Sequence, residues 1–238
     1  MIKTCWMFIY AMLLCTLVSS AQPNVHVRKS DRKKDVLMQT DAGIMIFRLY
    51  DETPQHRDNF LTLVKAGYYN GISFHRVIQS FMIQAGDERT KQNIDTNKLL
   101  KDYTIPAEFR PELFHHKGVL AAARMGNDVN PQKASSGVQF YIVQGRVHTD
   151  FSLDSVETFR LEGRKLPIEH RAVYKIEGGS PHLDQNYTIF GNMIRGMDVL
   201  DSIASVKTTG KGKGDKPLSD IRIVRMKLIR RKMDTTQN

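Results

Sequence analysis

A succession of short apolar runs, each too short for a free-standing helix and each bounded by turn residues, constrains this chain more than any other feature. Residues 36–40 and 44–49 flank Asp41-Ala42-Gly43 and read as a hairpin. Residues 74–87 read as two buried strands around the polar bend Gln79-Ser80. Runs at 118–123, 137–143, 187–191 and 221–229 complete the set, and the small side chains of 118–123 let another backbone or a ligand come close. Only two stretches carry strong helical spacing. The first opens at Thr53-Pro54, an N-cap followed by proline at the first helical position, and closes near Gly67. The second spans 192–204, with Met193, Met197, Leu200 and Ile203 on one face. Short strands without βαβ alternation predict a mainly β fold, a closed or nearly closed antiparallel barrel with helical plugs.

The chain's first residues predict export. Lys3 precedes an apolar run at 5–18, and Ser19-Ser20-Ala21 supplies small residues ahead of Gln22, the layout of a secretory signal peptide over 1–21. An uncleaved membrane anchor is the alternative, and no stable anchor is expected. Cys5 and Cys15, both inside the leader, are the chain's two cysteines. The mature protein would carry no thiol, which suits an oxidising periplasmic or extracellular setting without building a disulfide framework. A basic linker is expected over 22–35, one domain over 36–230 with a charged insertion at about 146–180, and a tail over 231–238. Within the insertion, 153–161 reads as an amphipathic helix packing on its own domain. The net charge of +10 could favour an anionic neighbour. No run of five or six basic residues supports one, so no specific nucleic acid is expected.

Several kinds of chemistry fail on spacing. The eight histidines form no HExxH pattern, so no metal is expected. His115-His116 are neighbours that would point to opposite sides of an extended chain, and read as loop residues. Lys211-Gly212-Lys213-Gly214 lacks the frame of a phosphate-binding loop, and no GxSxG marks a hydrolase.

Arg76 and Gln84 stand out because they interrupt apolar runs, where unpaired polar groups are costly. A snorkelling arginine on an edge strand would explain the first. However, the order and spacing of Arg76, Phe81, Met82 and Gln84 resemble the active-site signature of the cyclophilin-type peptidyl-prolyl isomerases. Residues 118–123 followed by 136–142 resemble that family's second motif, and Leu183-Asp184 with 187–191 its third. The resemblance runs from about 36 to 229, with two insertions. It implies an eight-stranded antiparallel β-barrel closed by two α-helices, here with loop insertions. It also implies isomerisation of Xaa-Pro bonds in proline-containing segments of unfolded or exported proteins, by a monomer without cofactor.

Such chemistry needs neither nucleophile nor metal. Amide resonance places roughly 18–20 kcal/mol in the way of rotation, and the twisted transition state leaves a pyramidal, basic prolyl nitrogen. By resemblance Arg76 is the catalytic donor to that nitrogen, and Gln84 holds the substrate backbone. Phe81, Met82, Tyr141 and Leu183 form the proline pocket, with Ala123 and Gln139 lining the groove beside it. Tyr141 stands where the family usually has phenylalanine, and its hydroxyl is expected to point outward. Tyr187 takes the place of a common histidine and keeps a donor. His182 takes the place of a common tryptophan, which implies weak cyclosporin binding. Arg124 lies in an uncertain local alignment and is left outside the expected site. Two other readings are a proline-peptide-binding module with little turnover, and a scaffold working through the 146–180 insertion.

Overall fold

A computed structural model describes residues 25–95, 99–100 and 102–231. The expected leader over 1–21, with both cysteines, and all but the first residue of the expected tail lie outside the described residues. The expected linker over 22–35 is partly built into the domain. Asp31 sits buried in a 3-10 turn, Asp31–Lys33, and accepts from Lys34 and Lys65 before β1 begins.

The hairpin expected around residue 42 forms from β1 (Lys34–Thr40) and β2 (Gly43–Leu49). Its alternation sends Val36, Met38, Met45 and Phe47 into the interior, where none is exposed. Helix α1 (Pro54–Lys65) follows, then a second hairpin of β3 (Arg76–Ile78) and β4 (Met82–Ala85). A two-residue strand β5 (Thr104–Ile105) pairs with β7 (Ser135–Ser136), and between them runs β6 (Val119–Ala122). After β8 (Phe140–Val143) come α2 (Asp150–Phe159) and α3 (Ile168–Ile176), then β9 (Ile189–Arg195), α4 (Met197–Ala204) and β10 (Ile223–Arg230).

Eight strands form one curled antiparallel sheet in the order β10-β1-β2-β9-β6-β8-β4-β3. The expected closure into a complete barrel does not occur: β10 and β3 remain edges, so the sheet is a half-barrel. The physical reason lies in β3. Its Val77 N–H donates to the carbonyl of Asp215 in the glycine-lysine loop rather than to β10. The seam is spanned just ahead of β3, where Phe74 N donates to Ile221 O (2.9 Å) and Ile223 N to Ile72 O (2.8 Å). Inside the curl, Phe60 of α1 packs among Tyr69, Phe140 and Phe190, and Val199, Leu200 and Ile203 of α4 join the same core.

Among the described residues there are four α-helices rather than two, and two boundaries move. The helix expected over 192–204 starts only at Met197. Its first residues instead extend β9, where Asn192 and Met193 pair with Arg48 and Phe47 of β2. Gly196, at φ 102°, makes the turn between strand and helix, and a side chain there would collide with the Ile44 carbonyl. The section expected over 153–161 is α2, closed at its start by a capping box of Thr149 and Ser152. Helix α3 buries no apolar stripe: Ile168 and Ile176 are exposed and Tyr174 alone is fully buried. It is tied to α2 by Arg171, whose guanidinium reaches Glu157 (2.8 Å), Asp150 and Asp154.

Candidate active site

Strand alternation puts two apolar clusters on opposite faces of β4, β6 and β8. Ile83, Ala85, Leu120, Ala122, Phe140 and Ile142 face the main core with α1 and α4. Met82, Ala121, Ala123, Tyr141 and Val143 face the other way, joined by Leu183, Ile189, Phe81 and Tyr187. That outer face carries the candidate site. Register then aligns its polar groups. Arg76 opposes Gln84, Gln84 opposes Tyr141, and Tyr141 opposes Ala121, one row of side chains across β3, β4, β8 and β6.

A cavity of about 230 Å³ opens on this row. Its wall contains Arg76, Phe81, Met82, Gln84, Ala123, Tyr141, Leu183 and Tyr187, all expected from the sequence, together with Arg124, which was not. Gln139 stands behind the wall, where its Oε1 accepts from Gln84 Nε2 at 3.1 Å. His182 stands at the rim, its ring tilted against Phe81 with centroids 5.4 Å apart. A larger cavity of about 460 Å³, bordered by α1 and residues 103–106, holds none of the expected site residues.

Each wall residue is held locally. Phe81 follows Ser80, which has a positive φ of 61°, and the Phe81 carbonyl accepts from both Gln144 N and Gly145 N at 3.0 Å. Leu183 lies on a 3-10 turn, Pro181–Leu183. Among the described residues the Arg76 guanidinium has only long contacts, 3.5 Å to Gln84 Oε1 and 3.8 Å to Asp215 Oδ2, so its donors are oriented without being consumed. Asp215 was not anticipated: it lies among the glycines and lysines of a surface loop, and only the folding of that loop onto β3 reveals it. Arg124 lies over the Tyr187 ring at 4.5 Å and donates Nε to the Asn186 carbonyl at 2.7 Å.

One expectation fails at Tyr141, and His115 has surroundings that were not anticipated. The Tyr141 hydroxyl does not point outward. It is buried, 3.0 Å from His115 Nε2, and burial pushes the phenol well above its ordinary range, so it remains protonated. His115 does lie in the loop ahead of β6, as expected, but its side chain is completely enclosed. Asp184 Oδ1 takes both the His115 backbone N–H (2.8 Å) and ring Nδ1–H (2.9 Å), which leaves Nε2 to accept from Tyr141. A lone histidine beside another in sequence carries no sign of this; its partner comes 69 residues later.

Burial also depresses His56, His75, His116, His148, His170 and His182, the last to about 4. Below the ordinary histidine value of 6.5 the unfolded chain binds protons that the folded chain refuses, so stability falls as pH falls from 6.5 toward 4. Calorimetry should therefore show Tm dropping by several degrees between pH 7 and pH 4.5. A flat profile over that window would contradict the assignment.

The sequence profile of the family described as cyclophilin type peptidyl-prolyl cis-trans isomerase matches residues 35–228. A Staphylococcus saprophyticus protein named as a peptidyl-prolyl cis-trans isomerase is 35% identical over 208 residues, spanning 87% of this chain and 98% of its own. A Staphylococcus aureus protein of the same name is 36% identical over 201 residues, spanning 84% and 93%. The crystal structure of a cyclophilin type peptidyl-prolyl cis-trans isomerase from Cryptosporidium parvum shares the fold. Its TM-score is 0.60 at 24% identity, over 84% of this chain and 99% of that one. The profile match over most of the chain, and relatives this similar along nearly their whole length, show that the chain belongs to the cyclophilin-type peptidyl-prolyl cis-trans isomerases.

Proposed function

We propose that the outer-face cavity is where this isomerase turns over Xaa-Pro bonds. The observation that carries the reading is the cross-strand row, which sets the guanidinium of Arg76 and the amide of Gln84 at the edge of an apolar cavity. The prolyl ring would rest on Phe81, Met82, Tyr141 and Leu183, out of water. As the amide twists, its nitrogen gains a lone pair that the permanently charged Arg76 can meet with an N–H. A planar amide offers no such acceptor, so the contact favours the transition state over the ground state, which is the condition for acceleration. Gln84, oriented by Gln139, would hold the flanking backbone, and Tyr187 would supply a further donor at the groove. A second crystal structure of the Cryptosporidium protein was obtained in the presence of the dipeptide Ala-Pro, and a proline-containing segment is the substrate proposed for this chain. No step calls for a metal or cofactor. The test is a protease-coupled assay on an Xaa-Pro peptide: turnover well above background supports the reading, whereas peptide affinity without turnover would mark a binding module.

The apolar opening stretch, read as a leader over 1–21, supports a role in folding exported proteins outside the cytoplasm, and a monomer is proposed with it. Mature protein recovered from the cell envelope or medium should begin at Gln22, and full-length protein confined to the cytoplasm would refute this. Weak cyclosporin binding is proposed from His182, which packs on Phe81 at the position where the family resemblance implies a tryptophan. Nanomolar inhibition of the purified protein would contradict it.

A further inference from the structure

The insertion between β8 and β9 reaches the floor of the cavity through a chain of buried hydrogen bonds. Tyr174, on the inward side of α3 and completely enclosed, donates its hydroxyl to Asp184, 2.8 Å from Oδ2 and 3.0 Å from Oδ1. Asp184 receives the His115 ring, and His115 receives the Tyr141 hydroxyl on the far side. Tyr141 is the floor residue, sitting between Gln84 and Ala121 in the cross-strand row. Every member of the chain is enclosed: Tyr174, Asp184, His115 and Tyr141 expose 0%, 2%, 0% and 4% of their surface.

The insertion is mounted on this chain rigidly. Its two ends cross at Gly145 and Gly179, whose backbones approach so closely that a side chain on Gly145 would lie 2.3 Å from Gly179 Cα. Gly179 bridges both Arg146 and His116, and Arg164, from the turn between the helices, donates to the Asp184 carbonyl at 2.6 Å. Phe114, next to His115, stacks on His170 of α3 with ring centroids 3.8 Å apart. Helix α3 and the cavity floor therefore share one hydrogen-bonded path, and a phenylalanine at position 141 would sever it at its last link.

We propose that Tyr174 is a positioning residue for the proline site: acting through Asp184 and His115, it fixes the Tyr141 ring that forms the pocket floor, which makes the insertion part of the substrate-holding apparatus. The proposal rests on the cavity being the proline site. Tyr174→Phe keeps the ring that packs with Leu153, Leu161 and Leu166 but removes the hydroxyl.

The experiment measures kcat/KM for an Xaa-Pro peptide and, separately, Kd for an Ala-Pro-containing peptide. It uses the full chain, Tyr174→Phe, Tyr141→Phe and the double variant, with circular dichroism and Tm recorded for each. Tyr174→Phe should weaken peptide binding and kcat/KM by about fivefold, the scale of one lost hydrogen bond. The double variant should match Tyr141→Phe alone, because the path is already cut. An unchanged Kd and kcat/KM in Tyr174→Phe would overturn the proposal. So would an equal further loss in the Tyr141→Phe background, since that damage would not pass through the floor residue. If the wild type binds peptide without turnover, the enzymatic reading fails while the Kd comparison still decides this one.

Discussion

Arg76→Ala should lower kcat/KM for Xaa-Pro isomerisation by about 10²–10³, the range seen when one preorganised donor is removed from a transition state. The side chain is partly exposed and held only by long contacts to Gln84 and Asp215, so its loss leaves the core untouched. Tm should stay within about 2 °C, as for other surface substitutions. Arg76→Lys is the sharper comparison. A lysine keeps the charge but loses the planar fork of donors, and should recover only part of the rate. Substrate affinity should change far less than turnover, because the ring-binding floor stays in place. The protease-coupled assay with a separate Kd measurement checks each point. A variant that keeps wild-type kcat/KM would remove Arg76 from the mechanism.

The second large effect concerns stability, at Glu108. Proline at the head of α1 follows Thr53, the residue expected to cap the helix, yet Thr53 makes no side-chain cap and its buried hydroxyl finds no partner among the described residues. The cap comes from Glu108. Its carboxylate accepts the N–H of Gln55 (3.2 Å) and of His56 (3.0 Å), and the His56 ring Nδ1 lies 2.7 Å away. Burial alone would raise this carboxyl, but the hydrogen bonds from His56 and Gln55 outweigh it and hold the group below its usual range, ionised at neutral pH. A negative charge at a helix start is also favoured by the helix dipole. Glu108→Ala leaves the backbone and ring donors of His56 enclosed and unpaired, at a cost of about 3 kcal/mol, or a Tm about 6–12 °C lower for a chain of this size. Thr53→Ala should cost almost nothing, against about 1 kcal/mol for an ordinary capping threonine. Thermal denaturation of the two variants separates the possibilities. A larger loss from Thr53→Ala than from Glu108→Ala would reverse the assignment.

The same contrast recurs elsewhere. The hairpin at 36–49, the start of α1 at Pro54 and the small-residue strand at 119–122 were legible because their signals are local: alternation, turn residues and a fixed proline φ. The split between β9 and α4 was not, because Met193 fits either period and only pairing with β2 chooses strand. Helix α3 was hidden because its Ile168 and Ile176 face solvent; it is held by Tyr174 packed on Leu153 and Leu161 and by the Arg171 ion pairs to Glu157 and Asp150, without a buried apolar stripe. Among the site residues, those forming the cavity wall were legible through family likeness. Arg124 was not, since the longer loop after it blurred the local alignment, and Asp215 was not, since it lies among the polar residues of a glycine-lysine loop. Tyr141 was legible as a position and misread as an environment.

By itself the sequence determined which segments extend, where the chain turns, and which side chains could serve a reaction that needs only a donor and an apolar pocket. Those properties follow from local sterics and hydrophobic period, which act over a few residues. Tertiary structure decided the rest. Strand register brought Arg76, Gln84 and Tyr141 into one row, the loop at Asp215 kept β3 from closing the barrel, and distant carboxylates found His56 and His115. Each of these depends on burial making an unpaired polar group costly, and the partner that removes the cost can lie anywhere in the chain.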